Sequence, residues 1–154
     1  GFADLWPADE PSPFGRSLNV ECIDYFREYF LAGLETVLLV EDDPDVRVVI
    51  AAQLKQLGYK VHAVANGNEA IDLIESPAEI DITLTDIVLP GGIDGVTLVK
   101  NAMQARPNMG VLCMSGYDPS QKNRKWFKIQ NIELLQKPFS SARLAEAIDQ
   151  ALAR

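Results

Sequence analysis

Cysteine and histidine are nearly absent from this chain of 154 residues, which has two of the first and one of the second. Cys22 and Cys113 lie far apart and lack Cys-x-x-Cys spacing, so two reduced thiols in a cytoplasmic protein are expected rather than a zinc or dithiol site. His62 stands alone in a strand-like run, where a structural or surface role accounts for it. Basic residues are also in the minority, with 14 Lys and Arg against 22 Asp and Glu and a net charge of -8. That balance argues against a nucleic-acid groove, which needs cations along the phosphates. No apolar run is long enough to span a bilayer, and no basic-then-apolar leader opens the chain, so no membrane association is expected. Gly91 and Gly92 are not followed by Gly-Lys-Ser/Thr, which excludes a P-loop. The first residue is Gly1 rather than Met, as in a partial or processed chain.

What is present suffices for one domain with a core, plus a tail. Residues 1–15 carry Pro7, Pro11 and Pro13 among acids and aromatics, without periodicity, and read as a poorly ordered tail. Val20, Ile23, Phe26, Phe30 and Leu34 then fall at helical spacing, with Glu21, Asp24, Arg27 and Glu28 opposite and Gly33 as a stop. This amphipathic arm, the last part of a tail spanning 1–34, wants a partner surface. A homodimer formed through it is the favoured expectation, and packing on its own domain is the alternative.

From Glu35 to Arg154 the pattern alternates. Strands are expected at Thr36 to Val40, Tyr59 to Ala65, Asp81 to Thr85, Gly110 to Met114 and Ile132 to Leu135. Helices are expected at Pro44 to Leu57, Asn68 to Glu75, Val96 to Arg106 and Ser141 to Leu152. Asp118 to Gln130 resists the pattern, so its helix should be short or irregular. Trp126 and Phe127 read as a half-buried anchor beneath it rather than as an RNA-facing patch. Alternating elements with continuous apolar strands define an α/β fold, a doubly wound five-stranded parallel sheet with helices on both faces.

On that scaffold Glu41 and Asp42 follow the first strand, Asp86 the third, Ser115 the fourth and Lys137 the fifth. All five lie at carboxyl ends of parallel strands, on one edge of the sheet. Neighbouring carboxylates repel one another unless a cation sits among them. Lys137 offsets one charge, and a hard divalent ion such as Mg2+ would offset the others. A metal, a Lys and a hydroxyl around a carboxylate are also the parts that phosphoryl transfer requires. Asp43 and Asp45 suit the start of a helix dipole and need no further role, and Asp94 reads as loop chemistry before Gly95.

The stretches VEDDPDVR (Val40 to Arg47), LTDIVLPGGIDG (Leu84 to Gly95), MSGY (Met114 to Tyr117) and LLQKPF (Leu134 to Phe139) resemble a bacterial response-regulator receiver domain. The resemblance implies a flavodoxin-like fold and makes Asp86 the phosphoacceptor. Glu41, Asp42 and Asp86, with the backbone carbonyl of Val88, would be the Mg2+ ligands. Ser115 would sense the phosphoryl group, Lys137 would pair with it, and the Lys137–Pro138 peptide would be cis. The donor would be the phosphohistidine of a histidine kinase or histidine phosphotransfer domain, and the phosphoryl group would be slowly hydrolysed. Three departures, the longer PGGIDG loop, Leu134 three residues before the Lys, and a weak helical pattern after Ser115, resemble receivers at the C-terminal end of hybrid histidine kinases. Leu134 supplies no ring to move with the hydroxyl. His62, in a strand, does not suit a phospho-donor, so a kinase core is not expected. A metal-dependent phosphatase would need a second acid where Val88 stands, and a receiver-like interaction module would not need the intact acid set.

Because the alternation is complete from Glu35, a chain shortened to 35–154 should fold with a cooperative melt. Light scattering should give a monomer for it and a dimer for the full chain; equal monomer masses would remove the dimer.

Overall fold

The computed structural model describes residues 35–116 and 121–153. The tail and arm of 1–34, Cys22 included, lie outside the described residues. The elements run β1 (Thr36–Val40), α1 (Pro44–Gln56), β2 (Lys60–Val64), α2 (Gly67–Glu75), β3 (Ile82–Asp86), α3 (Gly95–Ala105), β4 (Gly110–Ser115), α4 (Gln121–Ile129), β5 (Leu134–Gln136) and α5 (Ser141–Leu152). All strand pairs are parallel, in the order β2-β1-β3-β4-β5.

The continuous apolar strands follow from burial on both faces. In β1, Val37 and Leu39 join one cluster and Leu38 and Val40 another, so alternate side chains feed opposite layers. The first layer holds Ile50 and Leu54 of α1 and Leu144, Ala147, Ile148 and Ala151 of α5. The opposite layer holds Ala70 and Ile74 of α2 and Leu98 and Ala102 of α3. Beside them Val99, Cys113 and Phe127 of α4 form a third cluster. Cys113 is a free, buried thiol, and burial drives its ionisation well above the ordinary range. His62 is exposed on β2, at the sheet edge.

Local chemistry sets the helix ends. The Asp43 carboxylate accepts the Asp45 and Val46 N–H groups at 2.9 and 3.2 Å, and Pro44 opens α1. Gly58, at φ +96°, closes α1, with the Gly58 and Tyr59 N–H groups returning to Lys55 and Leu54. Asn66 caps α2 and Ser140 caps α5.

Three expectations change. Asp94 is not loop chemistry alone: it is the N-cap of α3 and accepts the Thr97 N–H at 2.8 Å. The fourth helix is short, as expected, at nine residues. Trp126 is half-buried on that helix, edge-on to the buried Phe127 at 5.1 Å, so the anchor sits on a helix rather than under an irregular loop. The fifth strand begins at Leu134 rather than Ile132, because Asn131 adopts φ +57° and the Ile132 N–H returns to the Phe127 carbonyl at 2.9 Å. Ile132 therefore closes α4 instead of opening β5. The remaining boundaries differ from expectation by a residue or two at element ends.

Gly95 starts α3 against the exit of β3. A Cβ there would sit 2.2 Å from the Asp86 carbonyl oxygen and 2.5 Å from the Ile87 Cα, both immobile backbone. Gly95→Ala should therefore destabilise the fold by ~3 kcal/mol, read as a lower urea midpoint at unchanged slope; a wild-type midpoint would contradict this packing.

Candidate functional site

In a 2-1-3-4-5 sheet the connections from β1 and β3 leave toward opposite faces, which opens a crevice at their carboxyl ends. Glu41 and Asp42 follow β1 there and Asp86 ends β3. One ligand oxygen from each lies within 4.8 Å of the others, with Glu41 and Asp86 buried and Asp42 exposed. Lys137, following β5, reaches across: its Nζ donates to Asp86 Oδ2 at 2.7 Å and to Glu41 Oε2. The Lys137–Pro138 peptide is cis, and the Lys137 N–H donates to the Ser115 carbonyl at 2.8 Å, which fixes the lysine backbone beside β4. Ser115 is buried at the end of β4. The Val88 N–H donates to Asp86 Oδ1 at 3.2 Å, so Val88 sits in the turn leaving the strand-end acid, with its side chain exposed. All six residues expected at the site are thus at one edge of the sheet.

Both oxygens of Glu41 are engaged: Oε2 with Lys137, and Oε1 with the Asp43 N–H at 3.2 Å. Burial raises the Glu41 pKa, the bonds from Lys137 and Asp43 only partly opposing it, and Asp86 adding repulsion. For Lys137 burial alone would lower the pKa, but its bonds to Asp86 and Glu41 and their charges outweigh it and the net shift is upward. The lysine's own contribution is therefore present at neutral pH and is lost as alkali deprotonates the ammonium, while the raised Glu41 value means that acid neutralises that carboxylate sooner than an ordinary one.

Three carboxylates against one ammonium leave a surplus of negative charge in a partly buried pocket. Like charges ~4 Å apart cost about 4 kcal/mol at an effective dielectric near 20. An all-oxygen donor set with surplus negative charge fits a hard divalent cation. Asp42 and Asp86, with Glu41 behind them, would hold it.

Two supporting residues escape a reading of the sequence for acids and nucleophiles. Arg47 Nη1 donates to the Glu41 carbonyl at 2.8 Å and to the Asp42 carbonyl at 3.4 Å. Its signal is only a basic residue one turn into the helix after the acidic pair. Gly95 is the other, where the turn after Asp86 leaves no room for a Cβ. Leu134, three residues before Lys137, is half-buried beside Val99 and Phe127.

A parallel five-stranded sheet with an acid cluster and a lysine at its switch point is the arrangement expected of a receiver, and similarity to known proteins supplies the family. The family model for the response regulator receiver domain matches residues 37–149, and the chain belongs to that family, the receiving modules of two-component systems. It is similar to the sensor kinase CckA of Brucella abortus, with 36% identity over 123 residues covering 79% of this chain and 13% of that protein. The chain thus spans a small part of that relative. Among solved structures it is similar to a response regulator receiver protein from Sinorhizobium medicae, at a TM-score of 0.71 and 31% identity, covering 80% of this chain and 97% of that one. It is also similar to the receiver domain of the hybrid histidine kinase CckA, at a TM-score of 0.63 and 36% identity, covering 76% of this chain and 98% of that one. The expected resemblance to hybrid-kinase receivers is met there. Among the described residues no helix is long and apolar enough to cross a membrane.

The charge surplus makes a direct prediction. Asp42→Asn should melt at a higher temperature than wild type in metal-free buffer, because it removes repulsion, and Mg2+ should raise its melting temperature less. A lower metal-free melting temperature would contradict repulsion as the dominant effect at this position.

Proposed function

We propose that Asp86 accepts a phosphoryl group from a phosphohistidine and that the chain later releases it as phosphate. A carboxylate oxygen of Asp86 attacks phosphorus in line, the P–N bond breaks, and the imidazole leaves with the electron pair. Lys137, already 2.7 Å from Asp86 Oδ2, pairs with the incoming phosphoryl oxygens. The Ser115 hydroxyl, at the end of the neighbouring strand, is the hydrogen-bonding group that senses them. Glu41, Asp42 and Asp86, with the Val88 carbonyl, would hold Mg2+, which would supply charge neutralisation at the transferring group. The observation carrying this reading is the single ammonium shared by the strand-end acid and the buried Glu41, beside a carboxylate cluster that still has surplus charge.

The donor partner is a histidine kinase or histidine phosphotransfer domain. A groove of about 470 Å³, lined largely by Val46, Val49, Ile50, Pro138 and Phe139, runs along α1 and ends at Lys137. Val49 of that lining is exposed at 59%, so the groove offers an apolar surface on which a partner helix could seat its own apolar face near Lys137. The cytoplasm, where such donors reside, is the compartment consistent with this role. Whether residues 1–34 join this domain to a kinase or pair two chains belongs to the same proposal.

Incubating the chain with a small phosphodonor and Mg2+ should add one phosphoryl group by intact mass, and Asp86→Asn should abolish the adduct while retaining a wild-type far-ultraviolet spectrum. An adduct persisting on the Asn variant would move the acceptor elsewhere.

A further inference from the structure

Glu41 and Asp86 are held by burial and by Lys137, but Asp42 is the exposed member of the cluster and lacks that packing. Its aim therefore depends on the backbone between β1 and α1. The Glu41 N–H continues the ladder to the Val64 carbonyl at 3.1 Å, which fixes where the segment starts. Beyond that point the peptide joining Asp42 to Asp43 is gripped at both ends. Its N–H donates to Glu41 Oε1 at 3.2 Å, and its carbonyl accepts from Arg47 Nη1 at 3.4 Å. The same Nη1 holds the preceding carbonyl, of Glu41, at 2.8 Å.

We propose that Arg47 is a positioning residue for the metal-site acids, its guanidinium locking two successive carbonyls so that Asp42 and Glu41 face Asp86. The inference rests on the metal role proposed above for those acids. Among the described residues Arg47 forms no ion pair with any of the three carboxylates, so their oxygens stay available to a cation while the carbonyls behind them are held. Both bonds come from the one Nη1, whose N–H directions are fixed by the guanidinium plane, whereas a lysine ammonium on a flexible stem holds two acceptors with less preorganisation.

Electrostatics and positioning predict opposite signs. Removing a cation beside a surplus of negative charge should tighten Mg2+ binding if charge alone matters. Removing a group that orients the ligands should weaken it, by about tenfold for outer partners of metal sites. Full-length wild type, Arg47→Gln and Arg47→Lys would be titrated with MgCl2 and followed by amide shifts of the β1–α1 segment, with thermal melts alongside. Arg47→Gln should raise the Mg2+ Kd about tenfold, and Arg47→Lys, which keeps the charge, should raise it by less. At saturating Mg2+ both should regain the wild-type extent of Asp86 phosphorylation. An unchanged or lower Kd in Arg47→Gln would overturn the proposal. Should that variant fail to fold, Arg47→Lys decides: a wild-type Kd overturns positioning and a raised Kd supports it. Wild type that binds no Mg2+ would instead defeat the metal reading itself, and this inference with it.

Discussion

The structure depends on one ammonium group held between two carboxylates. Lys137 follows β5 at one side of the sheet, yet its Nζ meets Asp86 at the end of β3 and Glu41 after β1. Three of the five strands are thereby joined by a single side chain at the edge where backbone pairing stops. Without it, two buried acids would face one another in a weakly screening environment, and one would have to take up a proton. The rest of the arrangement follows from satisfying this group. The sheet supplies the span, the Ser115 carbonyl fixes the lysine backbone, and the Asp43 N–H takes the second oxygen of Glu41.

The fold contributes location more than chemistry. A parallel sheet whose order reverses between β1 and β3 creates a crevice at that junction whatever its residues. Acids at the ends of those two strands are what convert it to a site. Receivers share the architecture with proteins of other functions, so the family match and the acid–lysine geometry carry the functional conclusion, and the topology alone does not.

Much of this was legible in the sequence, for specific reasons. TVLLV (Thr36 to Val40) reads as a buried strand because both sheet faces are covered, so its apolar run hardly alternates. Asp81 to Thr85 reads as one because it is short and β-branched, although its threonines alternate with apolar residues and are buried with them. The site residues were legible because each follows an apolar run directly, and the sheet gathers strand ends without further information. Ile132 was misplaced because a buried apolar residue beside a strand looks like part of it. Only the left-handed Asn131 reveals that it terminates a helix, and sequence periodicity does not report φ. Asp94 was read as turn chemistry because an Asp before a glycine fits a turn and a cap equally well. Arg47 was missed for a different reason: it acts through backbone carbonyls, which no residue pattern displays.

The shortness of β5 has a further consequence. With three residues, Leu134–Gln136, it offers the sheet little purchase, and of these Leu135 is packed in the layer that contains Leu144 and Ile148 of α5. The segment carrying Lys137 is therefore seated on a helix surface as well as on a neighbouring strand. Leu135 packs against α5 on one side, and the Lys137 N–H is held by the Ser115 carbonyl of β4 on the other. The ammonium's position is thus inherited from a hydrophobic layer that contains none of the acids it serves.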